Sequence, residues 1–145
     1  MSLRPVALCL ALVIPGAALA DWRYDTFADG AGEALGPGDF GLTLRMGCEN
    51  GRYPSYRLAG VLVAGLAPEQ RVAIVVDGRR FGPYDATCLE DSPGLCEVPL
   101  NRRPANRLSR ALRAGAQAVV ELDGEAVQTI TLAGSNDAIS ELLAE

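Results

Sequence analysis

Residues 71–84 read RVAIVVDGRRFGPY, and this stretch carries the clearest structural signal in the chain. β-Branched side chains occupy every second position from Val72 to Val76, which is the period-two pattern of a β-strand. The Asp-Gly pair at positions 77–78 follows at once, and such a pair between two strand patterns predicts a two-residue hairpin turn. We therefore predict an antiparallel hairpin in which residues 79–84 form the returning strand.

A second hairpin and three shorter strand patterns complete the predicted sheet. The second hairpin runs from residues 117–122 through Asp123-Gly124 to residues 126–132. Residues 28–39 are rich in Gly, Ala and acids and are predicted to form a surface loop. Residues 85–104 contain two cysteines and three prolines and are predicted to form another loop. The shorter strand patterns cover residues 22–27, 42–46 and 56–63.

Two short helices are predicted near the C-terminus. The first runs from Asn106, its predicted cap, to Ala114, and Gly115 is placed to end it in a left-handed turn. The second has Ser135 as its predicted cap and Asp137 in its first turn, where the helix dipole favours an anion. The apolar faces of the two helices are predicted to carry Leu108, Ala111, Leu112, Ile139, Leu142 and Leu143.

Together these elements predict a fold that is mainly β. About six to eight short strands joined mostly by tight turns, with two short helices near the C-terminus, indicate an antiparallel β-sandwich. The sequence shows no internal repeat and no linker. Residues 21–145 are therefore predicted to form a single domain.

Residues 1–20 have the three parts of a cleavable secretory signal. Arg4 supplies a positive charge, residues 6–14 supply an apolar run, and Ala18-Leu19-Ala20 supplies a small-x-small cleavage site before Asp21. A membrane anchor is disfavoured because Pro15-Gly16 interrupts an apolar stretch that is already shorter than the roughly 20 residues a bilayer span requires. We therefore expect export to the periplasm or beyond, with no membrane span left after cleavage.

Charge and composition argue against several functions. The chain has a net charge of −5, which becomes −6 when Arg4 is removed with the signal. A net acidic domain is disfavoured as a nucleic-acid binder, because neutralisation of phosphates supplies most of that affinity. The sequence contains no histidine, so a Ser-His or Cys-His nucleophile pair and a His-containing zinc site are excluded. We expect no cofactor and no bound metal.

Three of the four cysteines remain after cleavage, and the compartment bears on their state. Seven residues, including Pro93-Gly94, separate Cys88 from Cys96, which in an oxidising compartment predicts a disulfide that closes a loop. Cys48 is then left over. It is either buried as a free thiol, the interpretation we favour, or paired with another molecule.

The basic cluster of the chain lies in and just before the first predicted helix, and its members are Arg102, Arg103, Arg107, Arg110 and Arg113. Helical spacing places the last three of these on the side opposite Leu108 and Leu112. One interpretation is an anion-facing stripe for a phosphate, an acidic polysaccharide or a partner protein. The other is the solvated outer face of an amphipathic helix.

Acidic residues crowd the predicted cysteine loop, at Asp85, Glu90, Asp91 and Glu97. Paired carboxylates at a suitable separation can hydrolyse glycosidic bonds, and alternating oxygen ligands can hold calcium. Neither arrangement is present as a recognisable motif. Solvated loop acids are the simpler interpretation.

Several segments resemble known families of exported proteins. Cys88, Cys96, the sequence LSRALRAG at residues 108–115, the valine-rich hairpin after it and TLAGSNDAI at residues 131–139 resemble the invasion-associated locus B family of alphaproteobacteria. LTLRMGC at residues 42–48 and VVDG at residues 75–78 are also similar to periplasmic accessory proteins of type VI secretion. The chain departs from the first family in having Leu95 where Gly tends to lie beside the second cysteine. The resemblance implies a β-sandwich with an accessory or host-interaction role in the cell envelope, and it implies no catalytic residue.

Two function classes follow from these observations. The leading hypothesis is an exported envelope or secreted protein that binds another protein or an anionic envelope component, or supports an assembly, without catalysis. An inhibitor of an exported enzyme would be a special case of this class. The alternative is a carboxylate-based hydrolase of a cell-wall or surface glycan, which needs two carboxyl groups about 5 to 10 Å apart in a cleft.

Export with cleavage can be tested on the protein purified from its own cells. We expect a mature chain that begins at Asp21, because the small-x-small site ends at Ala20. Intact-mass analysis gives the start directly, and a retained Met1 on the localised protein would contradict the prediction.

Overall fold

The structure, a computed structural model, describes residues 21–37, 41–49 and 52–144. The predicted signal at residues 1–20 lies outside the described residues. Nine strands are described, namely β1 (Arg23–Thr26), β2 (Gly32–Leu35), β3 (Thr43–Glu49), β4 (Tyr53–Ala59), β5 (Glu69–Val76), β6 (Arg79–Cys88), β7 (Leu95–Val98), β8 (Gln117–Leu122) and β9 (Glu125–Thr131). The helices are α1 (Arg102–Ala114) and α2 (Ser135–Leu143), and a 3-10 turn spans Val61–Val63.

The strands form one sheet in the order β1-β2-β3-β4-β7-β6-β5-β8-β9, and all neighbouring pairs are antiparallel. The mainly β class and the two helices near the C-terminus are confirmed. The described strands number nine, above the six to eight expected, and they share a single sheet. The additional strands are β2 and β7, which lie in predicted loops. Each has four residues, too few for an alternating pattern to stand out among Gly and Pro.

The two edges of the sheet approach each other at one corner. The Trp22 N–H donates to the Ala133 carbonyl at 3.0 Å, and the Trp22 indole Nε1 donates to the Thr131 carbonyl at 2.9 Å. Trp22 directly precedes β1 and Thr131 ends β9, so these bonds join the outermost strands. At this corner the sheet curves back on itself, although no ladder pairs β1 with β9, and we call this junction the seam. α1 packs against β4, while α2 packs against β1, β2 and β3.

The core lies between the apolar face of the sheet and the inner faces of the helices. Burial of one such large apolar side chain stabilises the fold by roughly 1.5 to 3 kcal/mol. The largest fully buried side chains include Leu44, Met46, Leu58 and Ile74 from the strands, and Leu108, Leu112, Ile139 and Leu142 from the helices. The apolar stripes predicted for the two helices are confirmed, except that Ala111 is half-buried and Leu143 is exposed.

The first helix is longer than its sequence pattern predicts. It begins at Arg102, one turn before the predicted start, with Asn101 as the residue that precedes it. Pro104 is the third helical residue, where its missing N–H has no partner in the helix in any case. Gly115 ends the helix as predicted, but in extended backbone with φ of −84°. A side chain there would lie 2.5 Å from Val76 Cγ1, so close packing selects the glycine.

The second helix begins as predicted, but Ser135 has a different role. The residue that caps α2 is Gly134, whose φ of 80° lies in the left-handed region. Ser135 is the first helical residue, and its buried hydroxyl donates to the Leu112 carbonyl of α1 at 2.7 Å. This bond ties the two helices together where α1 approaches its end. Asp137 lies in the first turn as predicted.

The predicted disulfide joins Cys88 to Cys96. The two residues are cross-strand partners in β6 and β7, so the bond connects adjacent strands as well as closing the loop between them. The predicted loop over residues 85–104 is therefore wrong in part, because β6 continues to Cys88 and β7 occupies Leu95–Val98. Closing so short a loop stabilises the fold by roughly 2 to 3 kcal/mol in the chain-entropy account.

Both Asp-Gly turns have the predicted hairpin geometry. Asp77 and Asp123 have φ values of 47° and 49°, and the glycine after each is also left-handed. The Asp77 carboxylate accepts the N–H groups of Ala116 and Gln117 at 2.9 and 3.1 Å. The Asp77 N–H donates to the Gln117 carbonyl at 3.1 Å.

The second turn repeats this arrangement at the opposite end of the β5–β8 pair. The Asp123 carboxylate accepts the Arg71 N–H at 3.1 Å, and the Asp123 N–H donates to the Arg71 carbonyl at 2.8 Å. Because β5 and β8 are antiparallel, each turn lies beside the first residues of the other strand. The two aspartates therefore clamp the two hairpins into one four-stranded unit, and we call this pair of contacts the aspartate clamp.

The clamp can be tested by substitution of Asp77. Asp77→Ala should lower the free energy of unfolding by about 2 kcal/mol, because it removes the acceptor of two N–H groups and places alanine in the left-handed region. Urea denaturation followed by circular dichroism measures the change. Asp77→Gly keeps the left-handed backbone accessible, so its free energy of unfolding should fall by less. The fall should also be smaller for Asp123→Ala, which removes the acceptor of only one N–H group. An Asp77→Ala protein as stable as the wild type would contradict the clamp.

Candidate functional site

Three buried contacts fix the orientation of α1. The Tyr56 hydroxyl of β4 donates to the Ala105 carbonyl of α1 at 2.6 Å, and this phenol is 2% exposed. Leu108 and Leu112 are fully buried, and Ser135 holds the Leu112 carbonyl. The opposite face of α1 is consequently held toward solvent.

The outward face of α1 lines two adjoining depressions, and the first described is the larger. Its arginines are Arg103, Arg107 and Arg110, and Ala111 and Ala114 complete the helical side. Arg79, the first residue of β6, also lines this depression, which has a volume of about 480 Å³. The Arg79 guanidinium lies 5.0 Å from the ring centroid of buried Phe81, a cation–π contact that orients it. Two separate elements thus contribute guanidinium groups to one concave surface.

A second depression of about 310 Å³ continues toward the start of the helix. It is lined by Arg102, Arg103, Asn106 and Arg110, so it shares two arginines with the larger one. The two depressions therefore form one continuous surface along α1. We call it the arginine groove, and its cationic residues are Arg79, Arg102, Arg103, Arg107 and Arg110.

The groove differs in two residues from the basic cluster predicted from the sequence. Arg113 does not line either depression; it is half-buried, and its Nε donates to the Asn136 Oδ1 of α2 at 3.3 Å. Arg102 and Arg103, which were predicted to lie just before the helix, belong to its first turn because α1 starts one turn earlier than predicted. Arg79 was not predicted, since it lies in β6, 23 residues before Arg102 in the sequence. Only the pairing of the hairpins brings it to the helix.

The groove arginines have no carboxylate partner within 4.0 Å among residues 21–37, 41–49 and 52–144. The ion pairs described there belong to other arginines, namely Arg23, Arg45, Arg57, Arg71 and Arg80. Arg110 directs its Nε to the Asn106 carbonyl of its own helix at 3.4 Å. Near the groove, burial raises the pKa of the Tyr84 phenol, and the Arg107 charge opposes that rise. The groove is thus a local excess of positive charge on a net acidic protein.

The four acids of the predicted cysteine loop do not converge. Asp85 lines a depression of about 520 Å³ together with Glu69, but its side chain is 90% exposed and pairs with Arg71 at 3.4 Å. Glu97 lines a different depression, of about 410 Å³, and pairs with Arg57 at 3.7 Å. Glu90 and Asp91 are exposed in the connection between β6 and β7. A glycosidase needs two carboxyl groups held together in one cleft, and these four line separate depressions or lie exposed in a loop. The hydrolase alternative stays a prediction.

Cys48 is a free thiol near the end of β3. It is half-buried, and its Sγ lies 3.5 Å from the Leu142 carbonyl. Burial raises the pKa of the Cys48 thiol, so the reactive thiolate is disfavoured. No group of three or more potential metal-ligating side chains is present in the part of the chain that the structure describes.

Comparison with known proteins adds no relative. The chain matches no protein-family model, no curated protein and no solved structure. Among the described residues, no helix combines the length and apolar character that a bilayer crossing requires. The resemblance to exported envelope families stays a hypothesis, and the site is argued from its own geometry.

The Tyr56 contact that orients α1 should give the fold a dependence on alkaline pH. Burial raises the pKa of Tyr56 above its ordinary value of 10.0, with only partial opposition from Ser109. A raised folded-state pKa means that this stabilisation is complete below pH 10.0 and is lost as the pH rises further. Tyr56→Phe should therefore cost about 1 kcal/mol near neutral pH through the lost hydrogen bond, and this cost should shrink and then reverse above pH 10.0.

Urea unfolding of both proteins at neutral and alkaline pH measures this difference. Tyr53→Phe is the matched control, because Tyr53 lies in the same strand and its hydroxyl has no hydrogen-bond partner among the described residues. A constant difference between wild type and Tyr56→Phe across the whole pH range would contradict the prediction.

Proposed function

We propose that this chain is an exported binding protein of the cell envelope or the extracellular space, and that its arginine groove holds an anionic group of the partner. The observation that carries the proposal is the convergence of five arginines from α1 and β6 without a neighbouring carboxylate among the described residues. The partner is another protein or an anionic envelope component.

Charge repulsion supports a binding role for the groove. Several like charges on one concave surface repel each other, and this repulsion opposes folding unless an anion balances it. Other arginines of the same domain are paired across strands, as Arg57 is with Glu97 and Arg80 is with Glu121 at 2.9 Å. Guanidinium groups left unpaired can each donate two parallel hydrogen bonds to a carboxylate or a phosphate.

Several features support the proposed location. A disulfide such as Cys88–Cys96 persists in oxidising compartments and is compatible with export. Residues 1–20 have the pattern of a cleavable signal. The resemblance to envelope accessory proteins points to the same compartment. None of these features names the partner, so the proposal rests on the chemistry of the groove.

Retention on phosphocellulose tests whether the groove binds anions. The mature chain has a net charge of −6, so a phosphate matrix should repel it unless a local cationic surface binds. We expect retention at low salt, elution as the salt concentration rises, and no retention of an Arg103→Glu, Arg107→Glu, Arg110→Glu triple variant.

A second triple variant with the same charge change provides the control. Arg23→Glu, Arg57→Glu and Arg71→Glu replace arginines that are exposed and lie outside the groove. Loss of their ion pairs should cost roughly 0 to 1 kcal/mol each, so the fold should persist. This control should still be retained. A wild-type protein that flows through, or a groove variant that binds as well as the wild type, would overturn the proposed function.

A further inference from the structure

We infer that the groove binds a linear acidic polysaccharide that lies along α1, with several guanidinium groups contacting successive uronate-type carboxylates. This inference rests on the proposed function, because it specifies the anion that the groove holds. A compact anion, a folded acidic protein and a nucleic acid are the competing ligands.

The shape of the groove favours an extended ligand. Its two depressions share Arg103 and Arg110, so they follow the helix instead of forming a closed pocket around one point. α1 has 13 residues, which gives a surface about 20 Å long at the helical rise. A single phosphate or carboxylate could contact only part of it.

The spacing of the arginines suits a chain with one charge per unit. Arg103, Arg107 and Arg110 follow each other at four and three residues on one helix face. The helical rise separates them by about 6 and 4.5 Å along the axis, which is comparable to the length of one sugar unit in a linear polysaccharide. The long, flexible arginine side chains can therefore reach carboxylates on neighbouring sugar units, although these carboxylates do not all face the same side of the chain.

The lining of the groove disfavours a folded protein as the ligand. Its apolar surface comes from Ala111 and Ala114 and from the arginine stems, and it contains no aromatic or large aliphatic residue. Protein partners usually anchor on such residues at the centre of an interface. The large exposed apolar residues of the described chain lie elsewhere, at Phe27, Val61, Leu62 and Leu143.

Nucleic acid is also disfavoured by the lining. Proteins that bind single strands combine a cationic groove with aromatic rings on which bases stack, and the arginine groove lacks such rings among its lining residues. The net charge of −6 would also oppose a long, densely charged duplex outside the groove. A polyuronate carries fewer charges per unit length than a nucleic-acid duplex, and its binding does not require aromatic rings on which bases stack.

Titration calorimetry with oligomers of increasing length tests the inference. The probes are galacturonic acid, its oligomers up to the octamer and the matching mannuronate oligomers, with neutral maltohexaose as the control. We expect affinity to rise at least about tenfold from monomer to longer oligomers, because adjacent charges bind as a multivalent set. The rise should level off near three units, because the helical arginines from Arg102 to Arg110 span about 12 Å at the helical rise. Maltohexaose should not bind.

A single substitution tests whether the ligand contacts the groove along its whole length. Arg102 lines only the smaller depression. Arg102→Gln should therefore weaken the binding of the longer oligomers several-fold and leave the binding of the monomer unchanged. Arg113→Gln, on the same helix but outside the groove, should change neither. Equal weakening of monomer and oligomers by Arg102→Gln would overturn the extended arrangement.

The remaining outcomes separate this inference from the proposed function. If monomer and hexamer bind equally well, or if hexaglutamate or a thymidine hexanucleotide binds more tightly than hexagalacturonate, the polysaccharide assignment is wrong while anion binding stands. If uronate oligomers do not bind but phosphocellulose still retains the protein through the groove arginines, the same conclusion holds. If no anion binds and retention is absent, the proposed function fails as well.

Discussion

The aspartate clamp is the constraint on which the rest of the structure depends. The carboxylates of Asp77 and Asp123 accept hydrogen bonds from backbone N–H groups near the start of the neighbouring hairpin. These bonds hold the register of β5 against β8 at both ends. A one-residue slip in that register would turn every inward side chain of the pair toward solvent. The clamp also reaches the helix. Ala116, which donates to Asp77, follows Gly115 directly, so the same contact fixes the point where α1 ends.

The position of the groove follows from this arrangement. α1 is held near its first turns by Tyr56 and at its end by the clamp, which leaves its orientation little freedom. The Asp-Gly turn that begins with Asp77 is followed directly by Arg79, and it brings that residue to the outer face of the helix. One turn therefore sets the strand register and adds a guanidinium group to the surface. The candidate site is built on rigid elements, as a preorganised binding surface requires.

Local sequence patterns predicted the parts of this fold that are determined by residues close together in the sequence. Both Asp-Gly hairpins, the apolar faces of the helices and the Cys88–Cys96 disulfide follow from short-range spacing, and the structure contains all of them. The start of α1 was misplaced because Pro104 resembles a helix breaker when its position in the first turn is unknown. The short strands β2 and β7 are specified by their partners in the sheet. Arg79 could not be assigned to the site, because only tertiary pairing brings it beside α1.

The seam at Trp22 has a consequence for the order of folding. The indole and its acceptor, the Thr131 carbonyl, are 109 residues apart, so the contact order of this closure is very high. The seam contact can form only when the two ends of the domain are present together. Open edges invite pairing with other chains, and β1 and β9 have no described strand on their outer sides even in the folded sheet. Before the seam forms, these edges are also not held to the rest of the domain at Trp22, so that interval is when they are most exposed to such pairing.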